Sequence, residues 1–335
     1  MFLLLVLAAA PAAAQGDWIE LDTGEWLKGE LIALYDDELL FDSLKFGPRT
    51  FELKDVKQVH TAQAVTVGLT GGEVIVGKLV IAGGKIRIGE REAERSQILS
   101  ITPAGSKPFS ALGGKISAGL TVRQGNVDQV DATVSAEIEH RRVRDRIELD
   151  YLANYDHTEG TETANDQRIK SQWTHFITDR FFVKPAVLEW YRDPLQNLDS
   201  RTTAGAELGY WIFDTRRTDW QVSSGLAWQQ TRWVGVEAGE EPEETAGAFV
   251  GSTSFEQEWT KGIDFTFDYT FYLTREDAGR YIHHAAMTIE TEWTDTLDFD
   301  VSLYWDRTQV PRAERDGTVP DQDDFRMVIA LGIEF

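Results

Sequence analysis

The sequence predicts an all-β protein: an antiparallel transmembrane β-barrel of about twelve strands, preceded by a small periplasmic domain of two SH3-like or Sm-like β repeats. Three observations point there. From about Ala111 to Phe335 the chain runs in segments of roughly 10 to 14 residues that alternate apolar and polar. The composition, 11 Trp, 17 Phe and 28 Gly with only 9 Pro and 3 Met, suits aromatic-rich strands better than helices. The chain ends in Met327-Val328-Ile329-Ala330-Leu331-Gly332-Ile333-Glu334-Phe335, alternating up to a final aromatic.

In chain order, Met1 to Ala14 (MFLLLVLAAAPAAA) reads as an export signal, closing on small residues before Gln15 but lacking a basic start. Beyond it no run approaches the 18 or so apolar residues of a membrane helix, which leaves a secreted protein or a barrel. Residues 15–106 contain a degenerate repeat of about 48 residues. Leu21-Asp22-Thr23-Gly24-Glu25 with Gly29-Glu30-Leu31 aligns with Leu69-Thr70-Gly71-Gly72-Glu73 and Gly77-Lys78-Leu79. Each copy then turns at Asp36-Asp37 or Gly83-Gly84, runs through Leu39-Leu40-Phe41 or Ile86-Arg87-Ile88, and ends in Val56 and Val59 or Ile98 and Ile101. Such short strands between Gly and Asp turns predict two small barrels. Pro103 to Pro108 has linker composition, so the expected divisions are a signal peptide at 1–14, a periplasmic repeat domain at 15–106 and an outer-membrane barrel at 107–335.

Composition also excludes. Fifty-six Asp and Glu against 33 Lys and Arg give a formal charge of −23, which argues against a nucleic-acid partner, since phosphate binding needs clustered cations. The absence of cysteine removes thiol catalysis, zinc–thiolate sites and disulfides.

A soluble sandwich would alternate too, so connections and aromatics have to distinguish a barrel. Tight joins near Val143-Arg144-Asp145, Thr178-Asp179, Asp214–Asp219, Lys261-Gly262 and Asp295-Thr296 interleave with longer polar ones at Asp156–Gln167, Asp193–Ser200, Val234–Gly247, Arg275–Arg280 and Gln309–Gln322. Short turns on the periplasmic side and long loops outside are the outer-membrane pattern. Trp211, Trp220, Trp259, Trp293 and Phe335 fall at the short-turn end, and Tyr155, Trp190, Trp233 and Trp305 near the long-loop end, as two interfacial girdles would. An even strand count returns both termini to the periplasmic side.

The layout, the Gly119-Leu120-Thr121-Val122-Arg123-Gln124-Gly125-Asn126-Val127-Asp128 opening and the Ile333-Glu334-Phe335 ending together resemble the salt-induced outer-membrane protein family, over about residues 111–335. The terminal strand also resembles the signal by which the barrel-assembly machinery recognises its clients. The resemblance implies an outer-membrane location among lipid and lipopolysaccharide, and it implies no biochemical activity.

With apolar positions facing lipid, the charges facing the lumen sort by sign. Asp264, Asp268, Glu290, Glu292, Asp298, Asp300 and Asp306 form an acidic wall, whereas Lys115, Arg123, Arg146, Arg168, Lys170 and Arg326 collect opposite. Facing walls of opposite charge would orient ions, which predicts a narrow passive channel for small cations or polar solutes. Alternatively the charges pair across a plugged lumen and the barrel is an envelope-integrity anchor, its periplasmic repeats binding peptidoglycan or a protein partner. The weakest reading is an outer-membrane hydrolase using Ser252, Asp268 and His284. Glu237, Glu240, Glu241, Glu243 and Glu244 crowd one outer loop and could hold Ca²⁺ or Mg²⁺, although a solvated acidic loop explains them equally. The expectation is therefore no enzyme, no cofactor and no resident metal.

Overall fold

A computed structural model describes residues 16–334, apart from 36–37, 71–72, 106–111, 124–128, 179, 216, 261 and 295. The expected signal peptide, the turns at Asp36-Asp37 and Gly71-Gly72, the Gly125–Asp128 turn and the terminal Phe335 lie outside the described residues. The chain divides into two compact units, Met1–Ser106 and Lys107–Phe335.

The first unit contains β1 (Asp17–Leu21), β2 (Trp26–Tyr35), β3 (Glu38–Ser43), β4 (Gly47–Glu52), β5 (Val56–Leu69), β6 (Val74–Ala82), β7 (Lys85–Ile88), β8 (Arg91–Glu94) and β9 (Ile98–Pro103). The repeat is visible as architecture. The first half of β5 pairs with β1 (Trp18 opposite His60), and its second half pairs with β9 (Val67 opposite Ile101). The expectation of two separate barrels is corrected here: β1, β2, β9 and β5 close a single ring, and the other strands extend it as one nine-stranded sheet. The physical reason lies in the core. Ile19, Leu34 and Phe41 of the first copy and Leu79, Ile86 and Ile88 of the second bury themselves in one cluster, which neither copy could form alone. Within the first copy, Gly29 lets β2 lie close against β3, because a Cβ there would stand 1.9 Å from the Asp42 carbonyl oxygen.

The second unit is a closed antiparallel barrel of twelve strands: β10 (Leu112–Arg123), β11 (Gln129–Arg141), β12 (Asp145–Thr158), β13 (Thr161–Phe176), β14 (Phe181–Asp193), β15 (Leu198–Thr215), β16 (Thr218–Trp233), β17 (Glu243–Thr260), β18 (Ile263–Leu273), β19 (Tyr281–Thr294), β20 (Leu297–Thr308) and β21 (Asp323–Glu334). β21 returns to β10 through pairs from Lys115–Glu334 to Ala118–Leu331. Every strand exposes large apolar side chains on one face, from Ile116 and Leu120 on β10 to Met327, Ile329 and Leu331 on β21. A continuous apolar belt of this kind needs an apolar solvent. Among the described residues no helix is long and apolar enough to cross a membrane.

Two expectations are revised. The join expected at Asp156–Gln167 is a tight hairpin, since Thr161–Gln167 continues β13 and the chain reverses at Glu159 and Gly160, both at positive φ. Trp211 and Trp233 do not join the girdles. They sit on the inward parity of β15 and β16 and are buried, Trp211 against Phe176 and Phe182, and Trp233 against Tyr191 and Leu198. Trp259 and Trp293 remain more than half exposed at the short-turn end.

Candidate functional site

Strand alternation fixes what the lumen can hold. On β18 the aromatic residues Phe265, Phe267, Tyr269 and Phe271 share one face, so Asp264, Asp268 and Thr270 share the other. Direct contacts between strands that are not neighbours identify that second face as the interior. Lys115 on β10 binds Glu290 on β19, three strands away round the wall, and lies 2.8 Å from Asp300 and 3.4 Å from Asp298. Arg168 on β13 reaches Asp306 on β20 at 2.6 Å, although these strands are five steps apart by the shorter path β20–β21–β10–β11–β12–β13. Arg326 on β21 binds Asp166 on β13 at 2.6 Å.

The separated walls expected from the sequence are therefore bridged. Lys115 inserts into the acidic group it was expected to face, and Gly332 leaves room for it, because a Cβ there would lie 2.5 Å from Lys115 Cε. Ser117 adds a hydrogen bond to Asp300 at 2.9 Å. Arg146 turns to Glu148 of its own strand at 3.3 Å and stands 5.9 Å from the Trp211 ring. Lys170 pairs in register with Asp150 on one side and Glu189 on the other. Asp298 pairs in register with Glu292. Arg123 ends β10 opposite Gln129, and its side chain lies outside the described residues.

Two layers result. Toward the short-turn end, Lys115, Glu137, Glu139, Glu148, Asp150, Glu256, Asp264, Glu290 and Glu292 open on a cavity of about 630 Å³. Eight of these nine are carboxylates, and those eight come from five strands. Toward the long loops the lumen fills. The Arg168 guanidinium lies 4.1 Å from the Tyr191 ring and 3.3 Å from Glu189, with Arg201, Tyr272 and Gln229 buried on the flanking strands. Sequence reasoning missed Glu137, Asp150, Glu189, Glu207 and Asp166: Asp150 and Asp166 share the parity of Arg146 and Arg168 on their own strands, Glu137 and Glu189 stand in register with Lys115 and Lys170, and Glu207 accepts from Ser252.

The outer loops are tied together. Asn197, 1% exposed and in a left-handed conformation, donates to the carbonyls of Gly235 (2.8 Å), Arg312 (3.2 Å) and Ala313 (3.2 Å), and its Oδ1 accepts from the Gly235 amide at 2.8 Å. One side chain thus latches three loops. The loop glutamates are taken up by arginines: Glu243 by Arg232 (2.8 Å), Glu244 by Arg275 (2.6 Å) and Glu240 by Arg312 (3.1 Å). Arg275 also binds Asp277 and holds that carboxyl below its usual range. Among the described residues no group of three or more His, Asp or Glu is placed to hold a metal ion.

The hydrolase constellation does not assemble. Ser252 stands opposite Thr270, and Thr270 opposite His284, which puts two strand spacings, about 10 Å, between nucleophile and base. His284 Nδ1 is instead 2.9 Å from Asp306, and Ser252 Oγ is 2.7 Å from Ser223 Oγ and donates to Glu207 at 3.2 Å. Asp268 faces Ser254 and Ala286.

A second concavity lies within the first unit. Trp18, Trp26, Phe46, Lys28, Lys45 and His60 line a pocket of about 670 Å³. The Trp18 ring stacks on His60 at 4.0 Å and meets Trp26 at 4.5 Å. Partial burial, with Arg87 nearby, holds His60 below the ordinary histidine range.

Comparison with known proteins gives a family and several likenesses. A family described as "Protein of unknown function, DUF481" matches residues 116–335. No curated protein matches the sequence. Among solved structures, the chain is similar to the NanC porin at 12% identity and TM-score 0.41, over 67% of this chain and 99% of that one. It is similar to an outer-membrane channel from Pseudomonas putida F1 at 10% identity and TM-score 0.37, over 67% and 94%. The KdgM porin in complex with disordered oligogalacturonate aligns at 8% identity and TM-score 0.33, over 66% and 98%.

Proposed function

The chain belongs to the DUF481 family, and on the geometry of its lumen we propose that it is a narrow, cation-biased passive channel of the outer membrane. The observation that carries this is the cavity toward the short-turn end, where carboxylates from five strands converge on one space with a single lysine among them. Low-dielectric walls concentrate the field of such a group, so small cations are enriched there and anions repelled. Lys115 offsets part of that charge by binding Glu290 and Asp300 directly. Farther along, the Arg168–Asp306 bar sets the constriction, and polar solutes must pass beside it.

The apolar belt on all twelve strands supports insertion among outer-membrane lipid and lipopolysaccharide, and β21, the closing strand, is the part the barrel-assembly machinery would read. Short turns would then face the periplasm, with residues 15–106 on that side. The chemistry is diffusion: nothing in the Ser252–His284 geometry supports hydrolysis.

One observation favours the alternative of an envelope anchor. Arg168, Lys115 and Arg326 each cross part of the lumen, and a lumen held shut by such bars would only fix the barrel in place. Planar-bilayer recording of the refolded full chain separates the two. Discrete conductance steps are expected from a channel, whereas a correctly folded but silent barrel would leave the anchor reading.

A further inference from the structure

We propose that the aromatic pocket of the first unit is a binding site for an acidic saccharide, specifically the muramic-acid-bearing glycan strand of peptidoglycan. Trp18, Trp26 and His60 place three rings close together, with centroid separations of 4.5 and 4.0 Å. Trp26 is 58% exposed, Phe46 52% and Leu44, also in the pocket lining, 85%, so three apolar side chains gather in water at this one concavity, whereas the unit's other exposed apolar residues, Ile32, Val74 and Val76, are aliphatic and lie outside it. Rings left in water beside a dry core are a surface awaiting a partner. Their flat faces carry negative charge density, which attracts the C–H face of a pyranose ring.

Charge narrows the class. The chain as a whole carries −23, yet the pocket lining contains Lys28 and Lys45 and no carboxylate. The nearest acid on the strand, Asp17, faces away into the unit, accepting the amides of Leu31 (2.9 Å) and Ala62 (2.7 Å). Two ammonium groups at the rim of an aromatic platform fit a sugar bearing an isolated carboxylate, because lysine pairs as a point charge and needs no planar fork. His60 stacks on Trp18 as an aromatic ring, and its partial burial, with Arg87 nearby, favours the neutral imidazole. The cavity of about 670 Å³ falls within the usual range of small-molecule sites.

The choice of this glycan rests on the proposed outer-membrane orientation, which puts the unit in the peptidoglycan compartment. The pocket itself does not depend on whether the barrel conducts. The test is calorimetric titration of the full chain in detergent micelles with N-acetylglucosaminyl-N-acetylmuramic acid, and with chitobiose as the neutral analogue. Saturable binding of the acidic disaccharide is expected, at least about tenfold tighter than chitobiose. Trp26→Ala should weaken binding of both sugars, and Lys28→Glu/Lys45→Glu should abolish the preference for the acidic one. Both changes fall on exposed side chains, so an unchanged melting profile verifies that the unit is folded. Absence of binding, equal binding of both sugars, or binding that neither variant changes would each overturn the proposal. None of these outcomes bears on conductance, which separates failure here from failure of the channel reading.

Discussion

Arg168→Ala is the most informative single change in the barrel. The arginine makes a 2.6 Å contact to Asp306, a 3.3 Å contact to Glu189 and a stacking contact at 4.1 Å to Tyr191. Its removal leaves Asp306 with His284 at 2.9 Å, but takes from the 7% exposed Glu189 side chain the cation it contacts at 3.3 Å, leaving only the register neighbour Lys170. Breaking a buried pair from one side costs about 3–5 kcal/mol, and the low end applies here because lumen water can enter the vacated space. The same vacancy removes the bar across the lumen. Thermal unfolding in detergent should therefore shift down while single-channel steps in planar bilayers grow. Arg168→Ala combined with Glu189→Gln should recover much of the stability, since the stranded carboxylate is gone, and keep the larger steps. Unchanged conductance in both variants would refute the assignment of Arg168 as the constriction.

Three further outcomes follow from named contacts. Asn197→Gly keeps the left-handed backbone while deleting four latch hydrogen bonds, so outer-loop cleavage by added protease should accelerate with a stability loss of about 1–3 kcal/mol, most of it local. Gly332→Ala should displace Lys115 from Asp300 and cost about 1–3 kcal/mol, less when Lys115→Ala is already present, a non-additivity read from melting temperatures. The third concerns pH. His60 titrates below its ordinary value of 6.5 when folded, so below that value the unfolded chain binds a proton that the folded one resists. Stability of the first unit should be full above pH 6.5 and decline as pH falls through the folded value, and His60→Phe should flatten the decline in a pH series of melts.

Much of this was legible in the sequence because strand alternation is a strict parity rule. The alternating stretches Ile263–Phe271 and Leu297–Trp305 lie within β18 and β20, and the same parity turns His284 inward, where it meets Asp306, and His283 outward against Trp305. What parity cannot supply is height. Which inward residues share a level depends on the stagger accumulated round the barrel, so the Arg168–Asp306 and Arg326–Asp166 contacts could not be read from any one strand. Glu137 and Asp150 needed only parity and nearest-neighbour register, since they stand opposite Lys115 and Lys170, whereas their meeting with Glu256 and Asp264 in one cavity depends on the stagger. In the first unit the repeat was visible, but the fusion of its copies was not, because it depends on β5 serving two partners along fourteen residues. Trp211 and Trp233 show a related ambiguity: a tryptophan near a strand end belongs to an interface only if its parity points outward.

The most direct test of the account is the reversal potential of the refolded full chain in a planar bilayer under a salt gradient, for the natural protein and for Glu137→Gln/Glu256→Gln. Cation selectivity that weakens in the variant, with folding unchanged, is the result expected if the carboxylate cavity governs permeation. Anion selectivity, or selectivity indifferent to those two carboxylates, would contradict it.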